Sequence, residues 1–230
     1  MILQIETATT VCSVALSENG KVLTCKEADQ RNIHAEKITV FVEEVLREAG
    51  KSFDDVDGIA VSSGPGSYTG LRIGVSAAKG LSFALDKPLI AIETLEAMVY
   101  GLISQRSTLS ACTLLCPMID ARRMEVYTAI FDIHGNKIVP TSAEIIDSNS
   151  FSDLLSKHKI IFFGDGAEKC REVLGMHANA EILGGFTNSA KYLTERVTEK
   201  YLDKDFEDVA YFEPYYLKDF IAGKRPTDKF

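Results

Sequence analysis

Residues 64–72 read Gly64-Pro65-Gly66-Ser67-Tyr68-Thr69-Gly70-Leu71-Arg72. They join an apolar run at 58–61 to a long helical pattern that begins near Gly70. Glycines beside a proline allow a tight strand–loop–helix corner. The hydroxyls of Ser67 and Thr69 are placed to cap the helix that follows, whose first N–H groups lack partners within the helix. Such a corner suits either a bound anion or a close-packed neighbour.

This corner does not match the common phosphate-binding motifs. A Walker loop requires a lysine that the segment lacks, and a dinucleotide fingerprint requires glycine where Thr69 stands. An anion site at the helix N-terminus stays open, because it needs only N–H groups and the helix dipole. The alternatives are therefore a buried tight corner and a residual anion site. The residues of that anion site are Gly64, Gly66, Ser67, Thr69 and Arg72.

The helix predicted from about Gly70 to Leu85 carries few large side chains for its length. Small residues three and four positions apart let another helix approach closely. Interior glycines destabilise a helix by roughly 1 kcal/mol each relative to alanine, so Gly74 and Gly80 call for an explanation. Either a partner helix lies against them, or this helix packs on the chain's own sheet.

Composition limits the classes of function. The chain has 230 residues, 46% hydrophobic, with a net charge of −8. Extensive nucleic-acid binding would need a basic face. No apolar run approaches the roughly 20 residues that span a bilayer, and Met1 leads directly into a strand. We therefore expect a cytoplasmic protein.

The cysteines and histidines give no sign of a metal site. Five cysteines, an odd number, indicate reduced thiols. The four histidines are isolated from one another in sequence, so we expect no metal and no cofactor.

Strand and helix patterns fall into two similar series. Each begins with paired strands and then alternates helix with strand, which predicts two related α/β lobes. Polar, non-periodic residues at 106–110 separate the two series. We therefore predict a first lobe over 1–105, a second lobe over 106–205, and a tail over 206–230 that packs back on the first lobe.

Four segments together resemble the TsaB (YeaZ) family of bacterial accessory subunits for threonylcarbamoyladenosine synthesis on tRNA. The first two are Ile5-Glu6-Thr7-Ala8-Thr9, leading into Cys12-Ser13-Val14-Ala15-Leu16, and the corner extended to Ser63–Gly74. The other two are Asp120-Ala121-Arg122-Arg123-Met124-Glu125-Val126-Tyr127 and Pro214-Tyr215-Tyr216-Leu217. They span almost the whole chain, although Glu6 stands where aspartate is usual.

The resemblance implies a two-lobed fold of the actin, sugar-kinase and Hsp70 type, with a mixed sheet and helices in each lobe. It implies a non-catalytic scaffold that works with a catalytic subunit, TsaD, and a small ATPase, TsaE. Together they would modify the adenosine 3′ of the anticodon in tRNAs that read codons beginning with A. Because the chain is acidic, we expect tRNA contact to be only indirect; a homodimer is possible when the chain is alone, because an exposed apolar helix pair favours self-association.

The resemblance also places the partner interface on two helices of the first lobe, near 33–49 and 70–85. The expected contact residues are Ile38, Phe41, Val42, Val45, Leu71, Gly74, Ala77, Ala78 and Leu81. We expect no catalytic residue in this chain.

The residues themselves indicate a lost nucleotide site. Nucleotide-binding members of this fold have glycine in the first hairpin, where this chain has Ala8, and Arg122 stands in the second phosphate motif. The alternative is an independent ATPase or small-metabolite kinase that uses Asp120 as its catalytic carboxylate. A peptidase would need a base for Ser67, and no histidine lies near it in sequence. His34 is expected at the surface or at a helix boundary.

Overall fold

The computed structural model describes residues 1–30, 32–106 and 109–218. Residues 107–108 of the expected lobe boundary and 219–230 of the expected tail lie outside the described residues. The first lobe contains strands β1 (Ile2–Glu6), β2 (Val11–Glu18), β3 (Lys21–Asp29), β4 (Gly58–Gly64) and β5 (Leu89–Glu93). They form one sheet in the order β3-β2-β1-β4-β5, with β1 to β3 antiparallel and β4 and β5 parallel to β1.

The second lobe repeats this arrangement. Its strands are β6 (Thr113–Asp120), β7 (Glu125–Phe131), β8 (Lys137–Ile145), β9 (Lys159–Phe163) and β10 (Ala180–Leu183). Their order is β8-β7-β6-β9-β10, so β6 to β8 correspond to β1 to β3, and β9 and β10 to β4 and β5. The two-lobed α/β architecture expected from the sequence is confirmed.

The helices of the two lobes differ in length. The first lobe carries α1 (His34–Glu48), α2 (Tyr68–Leu85) and α3 (Thr94–Gln105). The second carries α4 (Ser152–Leu155) and α5 (Arg171–Leu174), of four residues each, and α6 (Thr194–Asp203). Short 3₁₀ turns, Glu168–Cys170 and Ala190–Leu193, directly precede α5 and α6.

The last helix of each series packs across the junction between lobes. Buried residues of α3, including Leu95, Met98 and Leu102, share a core with strands β6, β7 and β9. Leu193 and Val197, from the region of α6, share a core with β1, β4 and β5. The two lobes are therefore tied together by exchanged apolar contacts as well as by the chain.

Two further sequence expectations have clear outcomes. All five cysteines are free thiols, as predicted, and Cys12, Cys116 and Cys170 are buried. His34 is the first residue of α1, as the helix-boundary alternative predicted, but it is buried rather than at the surface, and its ring Nε2 lies 3.2 Å from the carbonyl oxygen of Val11. Within the described ranges, no helix combines the length and apolar character that a membrane span requires.

Candidate functional site

The glycine corner is packed against the first hairpin and the tail. Gly64 ends β4 with φ +118, and a Cβ there would lie 2.6 Å from the carbonyl oxygen of Tyr215. Only glycine fits at position 64, because any other residue would be strained at this positive φ and its Cβ would overlap the tail. A Cβ on Gly66 would overlap Ala8, and the backbone N–H of Ser67 donates to the Ala8 carbonyl at 2.7 Å. The corner is thus filled by the chain itself.

The same packing continues into the first turns of α2. A Cβ on Gly70 would overlap the carbonyl oxygen of Thr7, and one on Gly74 would overlap the Thr7 hydroxyl. Ser67 caps the helix as predicted, its Oγ accepting from the Gly70 N–H at 3.3 Å. These glycines let α2 lie directly on the turn between β1 and β2.

Three residues of the expected anion site, Gly64, Ser67 and Arg72, have hydrogen-bond partners within the chain. The Gly64 N–H donates to Thr94 Oγ1 at 3.1 Å, while the N–H groups of Ser67 and Gly70 are bonded as described above. Arg72 donates to the Tyr68 hydroxyl at 3.2 Å and lies 5.4 Å from the centroid of that ring. Thr69 is exposed on the first turn of α2. The geometry favours the tight corner, and the anion site stays a prediction.

Carboxyl groups from both lobes approach each other in the cleft between the lobes. Glu6, at the end of β1, is fully buried and accepts a hydrogen bond from the Ala8 N–H at 2.6 Å. Burial raises the pKa of Glu6 to about 7; the Ala8 N–H opposes this shift, and the charge of Asp165 adds to it. Asp165, just after β9, likewise has a raised pKa, because the atoms packed around its carboxyl group desolvate it and the charge of Asp120 adds to the effect.

Asp120, the carboxylate of the kinase alternative, has partners of its own. Its Oδ1 accepts from the Arg122 N–H at 2.8 Å and forms an ion pair with Lys169. Its backbone N–H donates to Asp165 Oδ1 at 3.0 Å. Lys169 also donates to the Glu125 carbonyl at 2.6 Å, which fixes its position. These contacts give Asp120 a structural role in joining β6, β7 and β9.

Most of the expected interface residues are inside the first lobe. Seven of the nine are buried in this chain, and so are not accessible to a partner: Ile38, Phe41, Val42, Val45, Leu71, Gly74 and Ala78. The other two, Ala77 and Leu81, are half-buried against the same core. Apolar residues at helical spacing form the core side of α1 and α2, so an interface on these helices would have to use their other faces.

The outer side of α2 carries an apolar strip, of which the sequence indicated only Ala77 and Gly80 as contact positions. Ile73 and Ala77, at the edge of this strip, also pack partly against the core. Ile73, Ala77, Gly80 and Ala84 follow one another at helical spacing, and Gly80 and Ala84 are exposed. Phe83 lies beside them with 83% of its side chain exposed, and Val40 on the neighbouring α1 is 41% exposed. A Cβ on Gly80 would have no neighbour within 4 Å. The sequence does contain a signal for this strip: when the positions of α2 that face the core are set aside, the remaining apolar positions form it.

The described part of the tail runs along the first lobe and reaches the second. The Glu207 N–H donates to the Leu89 carbonyl at 2.8 Å, and Lys79 donates to the Phe212 carbonyl at 2.8 Å. The Tyr215 N–H donates to the Ser63 carbonyl at 2.7 Å. Tyr216 stacks near Tyr68, with 4.9 Å between ring centroids.

Comparison with known proteins agrees with the resemblance. Residues 27–222 match the family model described as TsaD: tRNA N6-adenosine threonylcarbamoyltransferase. The chain is 38% identical over 137 residues to the tRNA threonylcarbamoyladenosine biosynthesis protein TsaB of Escherichia coli, covering 60% of this chain and 57% of that protein. It is 28% identical to TsaB of Bacillus subtilis over 94% of this chain and 93% of the relative. The chain spans about half the length of the Escherichia coli and Haemophilus influenzae relatives it matches.

Solved structures show the same architecture. YeaZ from Pseudomonas aeruginosa matches with a TM-score of 0.79 and 25% identity, covering 94% of this chain and 99% of that one. A dehydratase activator from Clostridium difficile, solved with bound ADPNP, matches with a TM-score of 0.51 at 9% identity, which shows only a shared fold. The fold is thus the two-lobed actin-like type. From the family model, the TsaB relatives and the YeaZ structure together, this chain belongs to the TsaB (YeaZ) family.

Proposed function

We propose that this chain is a non-catalytic subunit of the machinery that forms threonylcarbamoyladenosine in tRNA. It would hold a TsaD-like catalytic subunit in its active arrangement, with a TsaE-like ATPase joining the pair. The modified base would be the adenosine 3′ of the anticodon in tRNAs reading codons that begin with A. The names of the Escherichia coli and Bacillus subtilis relatives support the pathway, and the family model names the transferase.

The observation that carries the scaffold role is the exposed strip on α2. Gly66, Gly70 and Gly74 are each explained by a contact within the chain, whereas Gly80 has none. A glycine in a helix interior is unfavourable, and an exposed Phe83 beside it adds apolar surface in water. A helix of the partner packed on Ile73, Ala77, Gly80 and Ala84 would account for both features. The interface therefore stays on α1 and α2, but on their outer faces.

Charge is consistent with this assignment. With a net charge of −8, the chain as a whole repels RNA, so a partner subunit would supply most of the tRNA-binding surface. The cytoplasm is the compartment in which tRNA and such a partner would meet this chain. In isolation, the same strip would pair with a second copy, because an exposed apolar helix face favours self-association.

The test replaces Gly80 with leucine. Because the position is open and leucine is a better helix former, Gly80→Leu should leave the chain as stable as wild type or more so. The new side chain should nevertheless block a closely packed helix. We expect loss of co-purification with the TsaD-like subunit and no loss of thermal stability. Co-purification at the wild-type level would contradict the placement of the interface.

A matched pair of charge substitutions provides the control. Phe83→Asp places a charge within the strip, and Met176→Asp places one at a similarly exposed apolar side chain of the second lobe. Co-purification with the TsaD-like subunit should be lost in Phe83→Asp and retained in Met176→Asp. ATP turnover by the isolated chain, abolished by Asp120→Asn, would instead support the independent ATPase or kinase.

A further inference from the structure

The turn between β6 and β7 carries two arginines in an unfavourable conformation. Arg122 and Arg123 have φ values of +71 and +51, in the left-handed region. Hairpins that need positive φ at successive positions favour Asn-Gly, because a Cβ is strained there. Both side chains are exposed. Strain of this kind is kept where the surrounding structure or a function requires it.

Contacts within the chain do not explain the two arginines. Across residues 1–30, 32–106 and 109–218, neither guanidinium has an ion pair or a hydrogen bond. The neighbouring carboxylates are already paired: Asp120 with Lys169, and Glu125 with Lys218 of the tail. Among the described residues, therefore, no carboxylate pairs with the two positive charges that the hairpin presents, on a chain whose net charge is −8.

The position of the hairpin directs these charges outward beside the cleft. Asp120, immediately before the turn, bonds to Asp165, whose charge acts on the buried Glu6. The tail reaches Glu125 only three residues after Tyr215 bonds to β4, a reach of about 11 Å. The turn thus lies where both lobes and the tail meet, on a surface separate from the α2 strip.

We propose that Arg122 and Arg123 contact the phosphate backbone of the RNA on which the complex acts. Guanidinium groups bind phosphate oxygens through paired N–H donors. Residues 121–124 of the turn include no exposed large hydrophobic side chain, although Ile145, which pairs with Glu125 across the hairpin, is exposed beside them. Two adjacent positive charges without an apolar centre in the turn itself favour a polyanion over the apolar core of a protein interface. This inference rests on the proposed function, and adds a local direct contact where the resemblance implied only indirect contact.

The test measures binding of an unmodified tRNA transcript to the complex of this chain with its TsaD-like subunit. Fluorescence anisotropy over a range of salt concentrations gives both the Kd and its salt dependence. Arg122→Ala/Arg123→Ala should weaken binding about tenfold and reduce the slope of log K against log salt by about 2, since each lost phosphate contact removes about 1. Arg122→Lys/Arg123→Lys should retain most of the slope.

Two controls separate the contact from simpler effects. Lys21→Ala/Lys157→Ala removes two exposed positive charges elsewhere, and should change the Kd less than twofold. Arg122→Asn/Arg123→Gly should raise the thermal stability and yet weaken RNA binding as much as the alanine pair does. That combination cannot result from misfolding.

Other outcomes overturn the inference in distinguishable ways. An unchanged salt slope in Arg122→Ala/Arg123→Ala would exclude a specific phosphate contact. An equal loss of RNA affinity in Lys21→Ala/Lys157→Ala would exclude it as well. Weaker pairing with the TsaD-like subunit would make the hairpin a protein contact instead. Absence of tRNA binding by the wild-type complex, with pairing intact, would contradict the proposed function itself, and this contact with it.

Discussion

The two lobes have the same strand order but differ in the helices between their strands. In the first lobe β4 leads into an 18-residue helix, whereas in the second β9 leads into a 3₁₀ turn and a four-residue helix. Long helices give the first lobe an outer surface that a partner can cover. The second lobe lacks such a surface and presents an exposed, charged hairpin instead. The duplicated sheets thus support two different kinds of contact.

The corners after β4 and β9 are similar despite this difference. Gly64 and Gly164 both have positive φ. Two residues later, Gly66 lies against the turn after β1, and Gly166 lies against the last residues of β6. A Cβ on Gly166 would lie 2.8 Å from the Ile119 carbonyl carbon. The tight corner therefore belongs to the shared sheet, and the helix that follows is what distinguishes the first lobe.

The largest effect is expected from crowding these corners. Gly66→Ala would force its Cβ into Ala8, and should lower the free energy of unfolding by more than about 3 kcal/mol. Gly166→Ala should cause a loss of the same order in the second lobe. Urea denaturation of both variants checks the equivalence. A nearly neutral result at one corner would show that the two are not structurally alike.

The pH dependence tests the buried carboxyl of the first lobe. Because the folded-state pKa of Glu6 is raised from 4.5 to about 7, protonation stabilises the fold fully below pH 4.5. That stabilisation is lost as the pH rises through 7. Between pH 5 and 8, wild type should lose about 2–3 kcal/mol relative to Glu6→Gln, measured by urea unfolding of both chains. Parallel pH profiles of the two chains would show that Glu6 titrates normally.

The turns that follow β1 and β6 differ in burial, and only the turn after β6 should be stabilised by residues that favour positive φ. Thr7 and Ala8 are buried beneath α2, whereas Arg122 and Arg123 are exposed and strained. Arg122→Asn/Arg123→Gly should raise the free energy of unfolding by about 1–2 kcal/mol. A loss of stability in calorimetry would show that the arginines support the fold.

The smallest effect is expected at the outer face of α2. Gly80→Ala should stabilise the isolated chain by about 0.5–1 kcal/mol, since a Cβ there meets nothing and alanine favours the helix. Gly74→Ala, six residues earlier and on the inner face, should instead destabilise the chain because its Cβ would overlap Thr7. If both glycines gave the same sign, the two faces of α2 would not differ as described.

Much of the fold follows from local patterns in the sequence. Strand-like stretches on either side of the Glu18-Asn19-Gly20 turn predict β2 and β3, and Ser67 is recognisable as a helix cap. The repeated order of elements predicts two related lobes. These features are set by residues close together in the sequence, so they can be predicted without knowledge of the tertiary structure.

Features that depend on distant contacts could not be predicted in this way. Apolar residues at helical spacing, such as Ile38 and Val42, have the same pattern whether they face the chain's own core or a partner. Gly74 and Gly80 look alike in sequence, yet only Gly74 lies on another segment. The burial of His34 and the approach of Asp165 to Glu6 likewise depend on tertiary packing.

Reconstituted tRNA modification tests the scaffold role most directly. The reaction would contain the TsaD-like and TsaE-like subunits and tRNA, with wild-type chain, no chain, Gly80→Leu or Met176→Asp. We predict threonylcarbamoyladenosine only with wild type and Met176→Asp, although Gly80→Leu folds at least as stably as wild type. Full modification without this chain, or with Gly80→Leu, would contradict the account.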